Sequence, residues 1–371
     1  MNTRMNDGKP VVAILTVGDK TRLFRGNHKN FRDIIRTGND MGYLAYVVTV
    51  RDLKLGRPTI SGYVPGPGKT WIAAELPSPN VIYNRIPARE DEVKPAVAHK
   101  IAECLEYPGI RLYNPYFFNK WNLFEWLKES RAAFRHVPAT KRLRSARSLS
   151  VMLKNHHGLY LKPESGKAGK GIMRIRFSEE SPLPYRLQIQ SEKRSATYKS
   201  GSMDRLWARI VREAGRTHYI VQEMIELATY KGRPFDLRVL LQKNGRGGWG
   251  VTGIGARLAG ARSITTHVPR GGSVENPSSM LEAMFGPEKA STILKNAATA
   301  TLLIARQIER SSGYTLGEMS MDLGVDHKGG LWFFEANSRP MKFDEPEIRK
   351  LSLERIFQYS QYLVRQSAGS R

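Results

Sequence analysis

Cysteine is almost absent: Cys104 is the only one in 371 residues. That excludes an intramolecular disulfide framework and a cysteine-built metal site, and it fits a reducing compartment. Long apolar runs are missing too. The run Val11 to Val17 is too short for a signal core with its cleavage site, and far too short to span a bilayer. The expectation is a cytosolic, cytoplasmic chain made without export and without a membrane partner. The eight histidines form no His-Glu-x-x-His pattern. No zinc-ligand spacing, heptad run or internal repeat is found. Gly68-Lys69-Thr70 ends like a phosphate loop, but Tyr63 stands where the first glycine is required, so a Walker site is rejected. Acidic residues are scarce: 34 Asp and Glu face 59 Lys and Arg, a formal net charge of +25. The excess is uneven, with 20 Lys and Arg against 6 Asp and Glu from Arg131 to Arg216. Such a field attracts polyanions. Nucleic acid, an anionic surface and an acidic substrate all fit it, and so does a locally basic nucleotide-binding lobe.

The length allows two or three cores, and a hydrophobic content of 40% is ordinary for a globular protein. Residues 10–17 read as a buried strand after a disordered tail, 28–39 as a helix, and Tyr43 to Thr49 and Asn80 to Tyr83 as strands. This alternation predicts a Rossmann-like α/β domain over residues 1–113. Residues 56–70, rich in Gly and Pro, read as a loop. Arg85, just past a strand, could hold an anionic substrate or be a surface arginine. Residues 94–106 and 116–130 read as amphipathic helices, with Trp121, Phe124 and Trp126 as core. Asn114-Pro115 begins a new segment, and a domain boundary is expected near Arg111 to Pro115. Further helices are expected at 202–214, 287–311 and 346–365, and a hairpin over 183–200 that turns at Glu192 to Ser195.

Four stretches carry chemistry. Leu159 to Phe177 reads as strand, glycine loop, strand. Gly166, Gly169 and Gly171 allow the loop to fold over phosphates and offer N–H donors, and Lys162, Lys167 and Lys170 add positive charge. The bland alternative is a flexible turn with solvated lysines. His218 to Leu227 is a strand that changes character at Gln222-Glu223. It suits adenine, with backbone groups reading the purine edge and Met224 and Ile225 packing on its face, although by itself the stretch reads as structural. Residues 234–257 form a hairpin about Asn244-Gly245. Asp236 and Arg238 share a face there, and Arg257 ends the partner strand; such arginines can clamp phosphoryl oxygens. Arg270-Gly271-Gly272-Ser273 is a possible anion nest. The fourth stretch, Glu318 to Pro340, is a hairpin turning at Asp326 and Gly329-Gly330. Asp322 lies in its first strand; Glu335 and Asn337 lie two apart at the end of its second. Symmetric pairing brings these three hard oxygen donors together, which suits magnesium that shares its shell with waters and phosphates.

The ordered set of LKP with GKAGKG, VQEMIE, FDLRVL, MDLGVD and FEANSRP resembles an ATP-grasp enzyme over Pro115 to Lys350. It is most similar to the YheC/YheD-type branch, described as endospore coat-associated, in which an N-terminal pre-ATP-grasp α/β domain precedes the lobes. The resemblance implies a two-lobed α+β ATP-grasp fold, its lobes over residues 114–217 and 218–371, with ATP and Mg2+ as cofactors. It implies that Lys162 touches the α- and β-phosphates, that Gly166 to Gly171, with Lys167 and Lys170, form a lid, and that Gln222, Glu223, Met224 and Ile225 are the adenine hinge. Arg238 and Arg257 take the catalytic place near the transferred phosphate, and Asp322, Glu335 and Asn337 hold the metal. An earlier nucleotide-binding lysine is implied, with Lys120 and Lys141 both open. The activity implied is ligation of a carboxylate to an amine or thiol through an acyl-phosphate, linked to spore coat formation and its proteins. A non-catalytic coat scaffold and a basic nucleic-acid binder are the competing readings; no recognised nucleic-acid module supports the last.

Overall fold

The computed structural model describes residues 8–166, 169–190, 195–260 and 272–368. Lys167, the turn residues Glu192 to Arg194, and Arg270-Gly271 of the expected nest lie outside them. Three sheets organise the chain. The first has four parallel strands in the spatial order Ala45–Thr49, Val12–Thr16, Val81–Asn84, Arg111–Tyr113. These runs are apolar on both sides because both faces are covered. Phe31 and Ile34 of the helix His28–Asp40 pack on one face; Val97 and Ile101 of Pro95–Glu106 pack on the other.

The stretch expected as a loop is largely strand. Thr59–Pro65 pairs antiparallel with Trp71–Pro77 and extends the first sheet at its edge. Its prolines Pro65 and Pro77 stand at strand ends, where a missing N–H costs little, and Ile60, Tyr63, Val64 and Ile72 supply strand-favouring side chains between them. The helix expected from 116 starts at Lys120, where the Asn119 side chain accepts from the N–H groups of Trp121 and Asn122. A short strand Thr140–Arg142 and the helices Ala146–His156 and Pro277–Phe285 were not anticipated.

The second sheet is antiparallel throughout: Ser195–Ser200, Tyr185–Gln190, Met173–Phe177, Gly158–Pro163, Tyr219–Glu223, Thr140–Arg142. One face is apolar through Leu159, Leu161, Ile175 and Leu187, under Leu153 and Ile210 of two helices. The third sheet is also antiparallel, in the order Ser273–Glu275, Trp249–Leu258, Arg233–Lys243, Glu318–Val325, Leu331–Asn337. Its apolar face, with Val239, Met321 and Leu323, lies on the long helix Pro287–Ser312. Among the described residues no helix is long and apolar enough to cross a membrane.

Chain order does not divide the cores. The closing helix Pro346–Ala368 returns to the first sheet, where Leu353, Ile356 and Phe357 join Val12, Phe31 and Tyr83. A buried seam ties the same parts together. Arg85 pairs with Glu318 at 3.0 Å, and Tyr83 donates to the same carboxylate at 2.8 Å. The arginine considered for an anionic substrate is thus engaged by the protein's own acid. Nearby, Arg339 is buried against Glu92 at 2.6 Å, with its guanidinium 4.2 Å from the Phe117 ring centre.

Candidate functional site

The free faces of the second and third sheets look at each other across a cavity of about 570 Å³. The period of two along each strand decides what they present. On the third sheet, Leu237 and Val239 point into the core, so Asp236 and Arg238 point to the cavity side. Arg257 is the cross-strand partner of Asp236, and Asp322 that of Arg238. The charges alternate in space. Arg257 Nη2 lies 2.7 Å from Asp236 Oδ2 and 2.7 Å from Asp322 Oδ2. Burial works against its charge, but Asp322 and Asp236 outweigh this and hold the guanidinium firmly protonated. Arg238 donates to Ser320 Oγ at 3.3 Å.

Asp322 pairs with Glu335, but its neighbour Leu323 pairs with Phe333. Phe334 is therefore an extra residue, a β-bulge. The bulge decides the site. With strict alternation, Leu331, Phe333 and Glu335 would share the core face. The bulge shifts the phase by one, so Phe333 is buried in the core while Glu335 turns to the cavity beside Asp322. Gly324 makes room for it: a Cβ there would lie 2.4 Å from Phe334 Cζ. Asn337 follows one rung on, opposite Ser320, and is not among the residues lining the cavity.

On the second sheet, Leu159 and Leu161 enter the core, so Tyr160 and Lys162 face the cavity. Lys162 Nζ donates to Gln222 Oε1 at 2.6 Å and lies 5.3 Å from the Phe334 ring centre. Burial, helped by Lys120, pulls its pKa down to about 8. Lys120 reaches the same place from its helix, 3.1 Å from Glu335 Oε2 and 3.4 Å from the Gly166 carbonyl. Lys141 does not. It is exposed, and its cross-strand partner Val221 faces the core. Gly169 and Gly171 both take positive φ, and the Gly171 carbonyl accepts from Tyr219 Oη at 2.9 Å. Lys170 is exposed at the loop.

Gln222, Glu223, Met224 and Ile225 line the cavity together with Ile172 and Phe334. The backbone N–H groups of Glu223 and Met224 are already used, donating to Ala139 at 2.8 Å and Gly158 at 3.0 Å. A purine edge would be read by other groups of this segment. Arg174 and Arg176 also line the cavity and were missed. The alternation Met173, Arg174, Ile175, Arg176 was the signal that could have found them. Nothing local announces Phe334, since a bulge is a property of two strands.

Magnesium can be tested on the donor set. Asp322 and Glu335 are direct cross-strand partners, which places their Cβ atoms about 5 Å apart. Two carboxylates that close repel unless cations intervene; here Arg257 and Lys120 do so. Among the described residues no cluster of three or more His, Cys, Asp and Glu could hold a metal by itself. Two carboxylates and one amide are an incomplete hard-oxygen shell, and that fits an ion completed by phosphates and water.

A family model described as YheC/D like ATP-grasp matches residues 109–363. Endospore coat-associated protein YheD of Bacillus subtilis (strain 168) is 26% identical over 372 residues, covering 97% of this chain and 80% of that protein. The solved VanG D-Ala:D-Ser ligase from Enterococcus faecalis gives a TM-score of 0.53 at 12% identity, over 95% of this chain and 99% of that one. The ATP-grasp ligase PsnB, complexed with minimal precursor, Mg and ADP, gives 0.51 at 14% identity, over 94% and 97%. The two structures share the ATP-grasp fold with this chain.

Proposed function

The chain belongs to the YheC/D-like ATP-grasp family, and on that premise we propose that it is an ATP- and magnesium-dependent ligase joining a carboxylate to an amine or thiol through an acyl-phosphate. One observation carries the reading. Two carboxylates, Asp322 and Glu335, meet three cations, Lys120, Lys162 and Arg257, beside apolar residues that line the same cavity.

Phosphoryl transfer to a carboxylate brings anions together, so the protein's work is positioning and charge stabilisation. Met224, Ile225, Ile172 and Phe334 offer a purine a dry slot. Lys162 and Lys120 face the phosphate path from one side and Arg257 from the other, while Arg238 lies on the same strand face but outside the cavity lining, against Ser320 and the Phe343 ring. Asp322, Glu335 and Asn337 would hold magnesium, which when bound neutralises phosphate charge. The substrate carboxylate attacks the γ-phosphorus and ADP leaves. The nucleophilic nitrogen or sulfur then attacks the acyl carbon and phosphate leaves. Glycines 166, 169 and 171 allow a lid that keeps water from the acyl-phosphate. No nucleophilic side chain is needed. A link to spore coat formation rests on the name of the relative YheD.

The test is ADP release with pooled amino acids, peptides and dicarboxylates, run beside Glu335→Gln. The variant should bind an ATP analogue with magnesium about tenfold more weakly, the loss of one charged contact, and turn nothing over. Equal analogue affinity in both proteins, with and without magnesium, would remove these residues from a metal site.

A further inference from the structure

The cavity-side face of the second sheet continues outward beyond the nucleotide slot. Cross-strand pairing sets its content: Gly158, Arg176, Arg186 and Lys199 lie on one rung, and Tyr160, Arg174, Gln188 and Thr197 on the next. Three cations therefore stand side by side on neighbouring strands. Strands lie about 4.8 Å apart, so the row spans roughly 10 Å. Arg176, Arg186 and Lys199 are all exposed, and among the described residues none of them meets a carboxylate. Arg174, one rung in, donates to Gln188 Oε1 at 2.6 Å, while its Nε is buried and meets no acceptor among the described residues.

Like charges directly opposite on adjacent strands destabilise a sheet. The third sheet also sets two like charges opposite each other, Asp322 and Glu335, but Arg257 and Lys120 offset them and avoid that cost. The second sheet does not avoid it, although its opposite face is fully occupied by two helices. A row of cations with no acidic partner among the described residues is accounted for if an anion lies on it.

We infer that this face is a docking surface for an acidic polypeptide segment, laid across Arg176, Arg186 and Lys199. Side chains on one side of an extended peptide repeat at about 7 Å, so alternate carboxylates reach successive cations of the row. A single-stranded nucleic acid would need aromatic faces between the charges. Tyr185, Tyr198 and Phe177 all pack on the opposite, core side, and Tyr160, on the cavity-side face, stands one rung further in and lines the cavity rather than lying between the three cations. The surface also opens into the cavity through Arg174 and Arg176, so a bound segment lies beside the nucleotide. The inference goes beyond the ligase reading, since docking needs no turnover.

The probe is fluorescent polyglutamate, titrated against the full chain at about physiological ionic strength. Arg186→Ser/Lys199→Ser removes two cations that do not line the cavity. Arg205→Ser/Arg212→Ser removes two exposed cations from the helix Met203–Ala214 on the far face. The first pair should weaken binding about tenfold, and the second less than about twofold, from the worth of exposed ion pairs. The milder Arg186→Gln alone should lose about threefold, which keeps the test open if the double variant folds poorly. ATP-analogue affinity should stay unchanged in all three. Equal losses in the two double variants would reduce the attraction to net charge and overturn the site. An oligonucleotide that binds more tightly than polyglutamate, with the same dependence on Arg186 and Lys199, would overturn the polypeptide assignment.

Discussion

Replacing Lys162 with Met should stabilise the unliganded protein at pH 7 while removing its nucleotide affinity. Burial and the neighbouring Lys120 bring the ammonium from 10.5 down to about 8. The unfolded chain holds that proton at its ordinary affinity, so the buried charge costs stability. The cost is complete below pH 8, fades as pH rises from 8 to 10.5, and is absent above. At 1.36 kcal/mol per pH unit it is about 3 kcal/mol at pH 7. Met removes it but leaves Gln222 Oε1 without its 2.6 Å donor, a loss of about 1–2 kcal/mol. The variant should be more stable by about 1–2 kcal/mol at pH 7 and less stable by a similar amount near pH 10.5. Urea unfolding across that range reads the reversal directly. Phosphates should restore the charged lysine, so ATP binding to the wild type should take up about half a proton at pH 8. Titration calorimetry in two buffers of different ionisation enthalpy measures that uptake. A stability difference that stays flat from pH 7 to 10.5, with no buffer dependence of the binding heat, would refute the reasoning.

Gly324→Val should displace Phe334, because the new Cβ falls 2.4 Å from its ring and 2.7 Å from Leu227. A stability loss of about 1–3 kcal/mol is expected, larger than for Gly324→Ala, with nucleotide affinity falling in parallel; denaturant melts and analogue titrations check both. Arg339→Met strands the Glu92 carboxylate that it holds at 2.6 Å, and should cost about 3–5 kcal/mol in urea unfolding. Adding Glu92→Gln should recover part of that loss, and no recovery would place the cost in packing against Phe117.

Much of the site was legible in the chain because its signals are local. Turn chemistry at Asn244-Gly245 and Gly329-Gly330 located two hairpins, and alternation within their strands separated Asp236, Arg238 and Asp322 from the core positions between them. Lys162 and the glycines after it stood out by spacing alone. Other features depend on partners distant in the chain. Lys120 and Lys141 are equivalent in local sequence. Only the pairing of Thr140–Arg142 with Tyr219–Glu223 turns Lys141 away from the cavity, while a helix packed elsewhere delivers Lys120 to Glu335. Arg85 reads as free until the third sheet brings Glu318 against it. The closing helix is legible as a helix, but nothing in its own sequence says that it will return to the first sheet. Glu335 is the sharpest case. Its residue type and position were clear from the chain, but its direction was not. A bulge at Phe334, set by the register between two strands, decides whether that carboxylate faces the core or the cavity. Side-chain type and turn residues are written residue by residue, whereas register is a choice between whole strands, made by the packing that buries one face of each.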